Sequence, residues 1–245
     1  AGGATPGGSG LERTYALEAL NRGIPLVVYR DFFGLHPWID EVARHPSAGK
    51  LLHFFMFAEA QVRLIRDLKL SCVEAIAVGS GYYDTDVGRD WFATRKSGRR
   101  AMGWTEDDFV VVYSPGSTRD RVMETLIPTV EGIAAAGSRV VFVPAFHPKD
   151  PDAPYAPDPE KGGLWLPKAG GPYHKVLDRL EDSRVRLIRE PNFRNTIPDG
   201  KMRVAAADFI VMNPLSIDTY TSLYARVPAL ITALPLTRAE AAEGR

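Results

Sequence analysis

The sequence predicts an α/β fold built on parallel sheets. Three observations lead to this prediction: short β-branched runs alternate with segments of helical spacing, brief glycine or polar breaks join them, and several runs are apolar throughout. Such alternation is typical of right-handed βαβ units. An uninterrupted apolar run indicates a strand that is buried on both faces, as strands of parallel sheets are.

The amino-acid composition is that of a globular protein and argues against a nucleic-acid-binding protein. The 245 residues are 45% hydrophobic and 24% charged, as in an ordinary globular chain. Thirty basic and thirty acidic residues cancel, so the excess positive charge of nucleic-acid-binding proteins is missing and nucleic acid is not indicated as a partner. The single cysteine cannot form a disulfide within the chain. No apolar run approaches the roughly 20 residues that cross a bilayer, so we expect no transmembrane segment and a cytoplasmic location, with peripheral membrane attachment left open.

The chain begins with a glycine-rich stretch, residues 1–10, directly before a helical segment. One interpretation is a flexible leader or linker. The other, which we favour, is a strand-to-helix loop whose preceding strand is missing, with Ser9 as N-cap and Glu12 three residues on. The first domain is then incomplete. The apolar face of this helix is expected to contain Leu11, Tyr15, Leu17, Ala19 and Leu20.

Two blocks of the α/β rhythm follow, separated by an irregular segment. In the first, we predict strands at 24–29, 52–57 and 75–78, a helix over 58–68, and Gly23 at the C′ position of the first helix. Residues 82–105 show no sustained period. We interpret the basic run within them as decorating a solvated linker or, alternatively, approaching an acidic substrate or nucleic acid; it consists of Arg95, Lys96, Arg99 and Arg100. The predicted divisions are a domain over 1–88 and a linker over 89–105.

The second block, a domain over 106–245, is the more regular. We predict its strands at 109–113, 140–143, 185–188, 209–212 and 229–231, and its helices at 119–136, 173–180, 201–207 and 217–225. Residues 145–172 are rich in proline and glycine, and an insertion of this length is typical of a lid or a partner contact.

Loops after the predicted strands carry the chemistry, because ligands of open parallel sheets bind beyond the carboxyl ends of the strands. The loop after 109–113 combines a glycine that permits close backbone approach, hydroxyl donors, a helix N-terminus and added positive charge, and these suit a diphosphate. Its candidate residues are Ser114, Gly116, Ser117, Thr118 and Arg119. The alternative is a capped helix whose hydroxyls serve only the backbone.

Three further positions are candidates. His147 follows strand 140–143 and could donate to a phosphate or transfer a proton, although a structural role is as common. Asp31 follows strand 24–29 among aromatic residues and could act as a general base, or simply form a turn. The loop after 209–212 opens another helix, and helix capping alone would also explain it; it contains Asn213, Ser216, Ile217 and Asp218. Neither CxxC, nor HExxH, nor a cluster of carboxylates at ligand spacing occurs, so we predict no metal.

Four stretches in order along the chain resemble the GT-B superfamily, which includes glycosyltransferases, CDP-glycerol glycerophosphotransferases and non-hydrolysing UDP-N-acetylglucosamine 2-epimerases. The stretch Gly23-Ile24-Pro25 to Asp31 is similar to a late part of the family's N-terminal domain. Val78-Gly79-Ser80-Gly81-Tyr82-Tyr83-Asp84 resembles V-x-G-x-P-x-x-D, and Phe142-Val143-Pro144-Ala145-Phe146-His147-Pro148 resembles the H-P segment of the C-terminal domain. Ala206-Ala207-Asp208 through Ser216 to Pro228 resembles A-D-x-x-I-x-x-x-S…G-x-P.

The resemblance implies two Rossmann-like domains facing a cleft and a metal-independent glycosyltransferase that needs no cofactor. A nucleotide-diphosphate sugar would be held by the C-terminal domain and a hydroxyl acceptor by the N-terminal one. By the same resemblance, the loop at 114–118 and the residues at 216–217 contact the diphosphate, and His147 contacts the donor. The glycine-rich loop of the N-terminal domain is carried over to Gly7, Gly8 and Ser9.

Some positions depart from the family pattern. Tyr220 and Thr221 stand where many relatives carry a carboxylate for the donor ribose, and Asp218 comes too early for that role. Arg226 replaces the usual small residue before Val227-Pro228. These departures keep two alternatives open: a non-catalytic GT-B-like binding or assembly protein, and phosphotransfer from a CDP-alcohol.

Overall fold

The computed structural model describes residues 9–30, 37–115, 122–136, 140–147, 150, 152–161, 163–168, 171–180, 185–188, 190–212 and 218–232. The chain divides into two compact units, Ala1–Val87 and Gly88–Arg245. Each unit is an α/β structure with a parallel sheet, so the predicted fold class is confirmed at this level. Within the described ranges, every helix falls short of the length and apolarity that a membrane span requires.

The first unit contains a three-stranded parallel sheet in the order β1-β2-β3. Its elements are α1 Ser9–Asn21, β1 Leu26–Arg30, α2 Pro37–Ala43, α3 Ala48–Leu51, β2 Leu52–Met56, α4 Glu59–Asp67, β3 Glu74–Ala77 and α5 Gly81–Val87. All three predicted strands are confirmed to within two residues. The short helices α2 and α3 were not predicted, because neither is long enough to show an apolar period.

One face of this sheet carries the core of the first unit. Val28 and Phe54 are buried on that face and pack in one cluster with side chains of α1, α2 and α4. Successive crossovers step in the same direction across the sheet, so right-handed connections place the helices between the strands on the same side. On the opposite face, Val27 and Tyr29 of β1 are half-exposed.

The first helix differs in part from its prediction. Ala16 and Leu20 are buried, whereas Leu11 and Tyr15 are 69% and 71% exposed, so the expected apolar face is wrong at these two positions. The helix begins at Ser9, the residue predicted to cap it. At the other end the prediction is confirmed, because Gly23 has a φ of 70° and ends the helix at C′.

Several of the described helices end in the same backbone arrangement with different residues. In α1, the N–H of Gly23 donates to the carbonyl of Leu20 at 3.2 Å and the next N–H reaches back to Ala19 at 2.9 Å, which is a Schellman motif. Lys69 after α4 and Arg226 after α11 Asp218–Ala225 take the same left-handed position, with φ of 51° and 56°. A side chain at such a position is strained, because its Cβ crowds the backbone.

The second unit is built on a five-stranded parallel sheet in the order β10-β9-β4-β5-β8. Its further elements are α6 Trp91–Ala101, β4 Phe109–Ser114, α7 Val122–Ala136, β5 Val140–Pro144, β6 Tyr155–Asp158, β7 Leu164–Pro167, α8 Pro172–Leu177, β8 Arg186–Leu187, α9 Glu190–Thr196, α10 Gly200–Ala205, β9 Phe209–Met212 and β10 Ala229–Ile231. Turns of 3-10 helix occupy Pro159–Lys161 and Asp178–Leu180.

Helices cover both faces of this sheet. Val111 and Tyr113 of β4 pack in one cluster with α7 and α8, while Val110 and Val112 pack in another with α9 and α10. The strand is therefore buried on both sides, as its unbroken apolar run predicts. The second unit is a three-layer α/β structure, compatible with a Rossmann-like fold.

The segment predicted as an irregular, solvated connection is largely helical. Helices α5 and α6 lie within it, and the division of the chain assigns α6 to the second unit. The interpretation of Arg95 and Arg99 as solvated side chains is wrong, because Arg99 is only 2% exposed and both guanidinium groups bind the carboxylate of Asp208. The sequence did not indicate α6 because basic residues, and not apolar ones, occupy part of its inner face, so the helix shows no apolar period.

The Asp208 carboxylate is a structural centre at the amino end of β9. It accepts from Arg95 at 2.5 Å, from Arg99 at 2.9 Å and from the backbone N–H of Val110 at 2.8 Å. Burial alone would raise the pKa of Asp208, but the Val110 N–H and the two guanidinium groups outweigh it and hold the pKa below its ordinary value. The carboxylate thus ties α6 to the two central strands.

Candidate functional site

The strand order of the second unit reverses between β4 and β9. The connection after β4 leads to β5 on one side, whereas the connection after β9 leads to β10 on the other. In open α/β sheets, a reversal of this kind predicts a ligand crevice at the carboxyl ends of the two strands. Ser114 is the last residue of β4, and Asp218 is the first residue of α11, the helix after β9.

Two residues singled out from the sequence meet at this crevice. The hydroxyl of Ser114 donates to Oδ2 of Asp218 at 2.6 Å. Ser114 is 7% exposed, and Asp218 is half-buried in the first turn of α11, where the positive end of the helix dipole favours a carboxylate. The bond joins the end of β4 to the first turn of the helix that follows β9, next to the point where the strand order reverses.

His147 lies three residues beyond the end of β5, the strand next to β4, and it is half-buried. Its backbone is held by the turn that follows, in which the N–H of Asp150 donates to the His147 carbonyl at 3.0 Å. The preceding residue, Phe146, is fully buried and stacks on the ring of Tyr173 at 4.7 Å between centroids. The packing of Phe146 before it and the turn after it therefore hold His147 at the carboxyl edge of the sheet.

The most distinctive cation of this edge, Arg194 on α9, was not predicted from the sequence. Its Nη2 donates to the carbonyl of Phe146 at 2.8 Å, and its guanidinium lies over the indole of Trp165, with Cζ 4.2 Å from the ring centroid. Burial, and then repulsion from Arg203, lowers the pKa of Arg194 to about 10, although the charge of Asp218 opposes the shift. Arg194 therefore stays protonated at neutral pH. It lies on a seven-residue helix without apolar periodicity, so no sequence signal marked it.

Trp165 belongs to an antiparallel hairpin, β6–β7, inside the stretch predicted as a lid or partner contact. Asn195 bonds to the hairpin in both directions: its Oδ1 accepts from the N–H of Trp165 at 2.9 Å, and its Nδ2 donates to the Trp165 carbonyl at 3.0 Å. This pair of bonds seats the indole under Arg194. The hairpin therefore supports the carboxyl edge through α9.

Buried tyrosines hold the loop that carries His147. The hydroxyl of Tyr155 donates to the carbonyl of Pro144 at 2.5 Å, and that of Tyr173 donates to Oδ2 of Asp150 at 2.9 Å. Burial, followed by the neighbouring Asp150 carboxylate, raises the pKa of Tyr173. Both hydroxyls donate hydrogen bonds that hold this loop, so we assign the two tyrosines a structural role.

The remaining predictions divide into two groups. Ser9 is described, but it opens α1 in the first unit. Outside the described residues lie Gly7, Gly8, Asp31, Gly116, Ser117, Thr118, Arg119, Asn213, Ser216 and Ile217. Among the candidates that the structure describes, Ser114 and Asp218 are brought together, and His147 follows the neighbouring strand.

The arrangement can hold an anion next to a hydroxyl-bearing group. The guanidinium of Arg194 and the N-terminus of α11 favour negative charge. The Asp218 carboxylate accepts hydrogen bonds and would orient a donor such as a sugar hydroxyl. A phosphorylated sugar or nucleoside has both kinds of group.

Neither a scan against protein-family models nor a search of curated proteins finds a match to the chain.

Proposed function

We propose that the second unit binds a nucleotide-diphosphate sugar at the crevice between β4 and β9, and that the protein is a metal-independent glycosyltransferase of the GT-B type. The observation that carries the proposal is the 2.6 Å hydrogen bond from Ser114 to Asp218 at the point where the strand order reverses. Ligands of open α/β sheets bind at such a point.

Arg194 supplies the charge that a diphosphate needs. Its guanidinium is seated by the Phe146 carbonyl and the Trp165 ring, so little conformational entropy is lost when an anion binds. It also offsets the negative charge of Asp218, which would otherwise repel a phosphate. Together the two side chains suit a ligand with an anionic and a hydroxyl-rich part.

The reaction that this site supports is displacement of a nucleoside diphosphate by a hydroxyl acceptor. Negative charge grows on the leaving diphosphate as the bond to the sugar breaks, and Arg194, His147 and the N-terminus of α11 would stabilise it. The acceptor is assigned to the first unit by resemblance, with Asp31 as the proposed base that takes the hydroxyl proton.

A thermal-shift screen of the whole chain against UDP-, GDP-, CDP- and dTDP-sugars tests the binding step. One nucleotide class at about 100 times its Kd should add roughly 2.7 kcal/mol to the free energy of unfolding, a rise of roughly 5–10 °C in Tm. At the same ligand concentration the rise should fall to about half or less in Arg194→Ala and be kept in Arg179→Ala, whose guanidinium is exposed beside Glu131. Equal responses of the two variants would contradict the assignment.

A second function, that of a non-catalytic GT-B-like binding or assembly protein, is favoured by one observation. Asp218 places a carboxylate at the first residue of α11, close to where the resemblance implies a diphosphate. Under this alternative none of the nucleotide sugars raises Tm. Stabilisation by CDP-glycerol alone would instead favour phosphotransfer from a CDP-alcohol.

A further inference from the structure

A groove lies at the amino edge of the second unit's sheet, away from the Ser114–Asp218 crevice. It is bounded by the start of α6 and the end of α11 and has a volume of about 420 Å³, within the range of small-molecule pockets. Its lining residues are Trp91, Phe92, Arg95, Tyr224, Ala225 and Arg226. Asp208 directly precedes β9 and Arg226 lies three residues before β10, which places the groove beside the amino ends of these strands.

The lining that the described residues form combines aromatic rings with guanidinium groups, without a carboxylate among them. Phe92 is 78% exposed and Tyr224 41% exposed, so apolar ring surface faces solvent. One face of the Trp91 indole is covered by Arg89, at 5.3 Å from the ring centroid. Arg95 pairs with Asp208, a carboxylate that it shares with Arg99, so this cluster keeps a net positive charge, and Arg226 adds a second cation to the groove.

The backbone of Arg226, beside the groove, has a strained conformation. Its φ of 56° ends α11 in the left-handed conformation, where glycine is the residue without strain. The N–H of Arg226 donates to Leu223 at 3.2 Å and that of Val227 to Ser222 at 2.9 Å, so the motif itself is complete and any residue that tolerates the φ would close it. An arginine at this position costs backbone strain, and its side chain lines the groove.

We propose that this groove binds a small planar anion, an aromatic ring that carries a phosphate or carboxylate. The ring stacks against the aromatic side chains, and its anionic group pairs with the guanidinium of Arg226. The site is independent of the proposed glycosyl transfer, because it shares no lining residue with the carboxyl edge.

The test titrates the whole chain with adenosine 5′-monophosphate, adenosine, inorganic phosphate and 4-hydroxybenzoate, with tryptophan fluorescence as the readout. We expect the monophosphate or the hydroxybenzoate to quench Trp91 and to bind at least about tenfold more tightly than adenosine or phosphate alone. The quench should disappear in Trp91→Phe and persist in Trp165→Phe, whose indole lies at the carboxyl edge. Which of the two anions binds identifies the source of the negative charge.

Arg226→Gly separates binding from folding. The variant should lose about tenfold or more in affinity while its Tm rises, because the strained φ is relieved as the cation is removed. Arg226→Lys keeps the charge and should retain binding within a few-fold. The proposal is overturned if neither anion quenches Trp91 at millimolar concentration, if adenosine binds as tightly as its monophosphate, or if Arg226→Gly binds like the parent chain. Loss of the quench in Trp165→Phe instead of Trp91→Phe would assign the ligand to the carboxyl edge and also overturn it.

Discussion

Arg99 donates from Nη1 to the Asp208 carboxylate at 2.9 Å and joins α6 to the start of β9. The guanidinium is almost completely buried, and it also donates to the backbone carbonyls of Thr105, Ala206 and Asp108. Arg99 therefore links α6 to the two segments that lead into β4 and β9. Its ion pair with Asp208 belongs to the buried pairs whose disruption leaves an uncompensated charge.

Replacing Asp208 with asparagine should lower the free energy of unfolding by about 3 kcal/mol, because Arg99 would remain buried without its counter-charge. Urea denaturation measures the change. Asp40→Asn is the matched control, since Asp40 pairs with Arg44 on an exposed helix surface and such pairs contribute about 0.3–0.5 kcal/mol. Equal losses in the two variants would contradict the central role of Asp208.

The same carboxylate predicts how stability depends on acid. The pKa of Asp208 is held below its ordinary value of 3.8, so its contribution to stability is complete above that value and is lost as the pH falls through the lower, folded-state pKa. Tm should therefore fall between pH 4 and more acidic solutions, and Asp208→Asn should fall less over the same interval. An unchanged slope in the variant would show that other carboxylates carry the acid sensitivity.

Two helix ends should be stabilised by glycine. Lys69→Gly and Arg226→Gly each relieve a left-handed φ and should add about 0.5–1 kcal/mol to the free energy of unfolding. Gly23→Ala, the reverse change at an equivalent position, should remove a similar amount. Chemical denaturation of the three variants measures the differences. A destabilising effect of both glycines would mean that the lysine and arginine side chains hold these ends.

At the carboxyl edge, Arg194→Ala should weaken binding of the preferred nucleotide sugar about 10- to 100-fold, because a charged hydrogen-bond donor to the phosphates is lost. Calorimetric titration measures the affinity. Trp165→Leu removes the ring that seats the guanidinium but leaves the charge, so it should cost less. An affinity that is the same in all three proteins would remove Arg194 from the site.

His147→Ala should lower the rate of sugar transfer by about 10²–10³-fold with little change in Tm, because the imidazole is half-buried and its backbone is held by the neighbouring turn. Transfer is measured as release of the nucleoside diphosphate at saturating donor. A matched decrease in Tm would point to a structural histidine, and unchanged turnover would reject its role in the reaction.

Patterns that repeat along the chain could be predicted from the sequence. The unbroken apolar run of β4 indicated a strand buried on both faces, and Gly23 indicated a left-handed helix end. The rule that ligands bind beyond strand ends selected Ser114 and Asp218 separately, and the structure places them in contact. These signals are local, so a single sequence contains them.

Interactions between distant residues could not be predicted in this way. Arg95 and Arg99 have the composition of a solvated surface, and only the position of Asp208, more than a hundred residues away, makes them internal. The guanidinium of Arg194 is positioned by the ring of Trp165. Trp165 lies on a hairpin in a stretch whose prolines and glycines indicated a loop. In both cases the partner, and not the local pattern, determines burial.

The link between α6 and Asp208 has a practical consequence for dividing the protein by limited proteolysis or recombinant expression. A fragment that starts at residue 106 would retain Asp208 but lose both of its cationic donors, leaving the carboxylate without a counter-charge from α6 at the amino end of the sheet. The smallest autonomous piece of the C-terminal half must therefore begin ahead of Trp91. Cleavage between α6 and β4 should release an insoluble product rather than a usable domain.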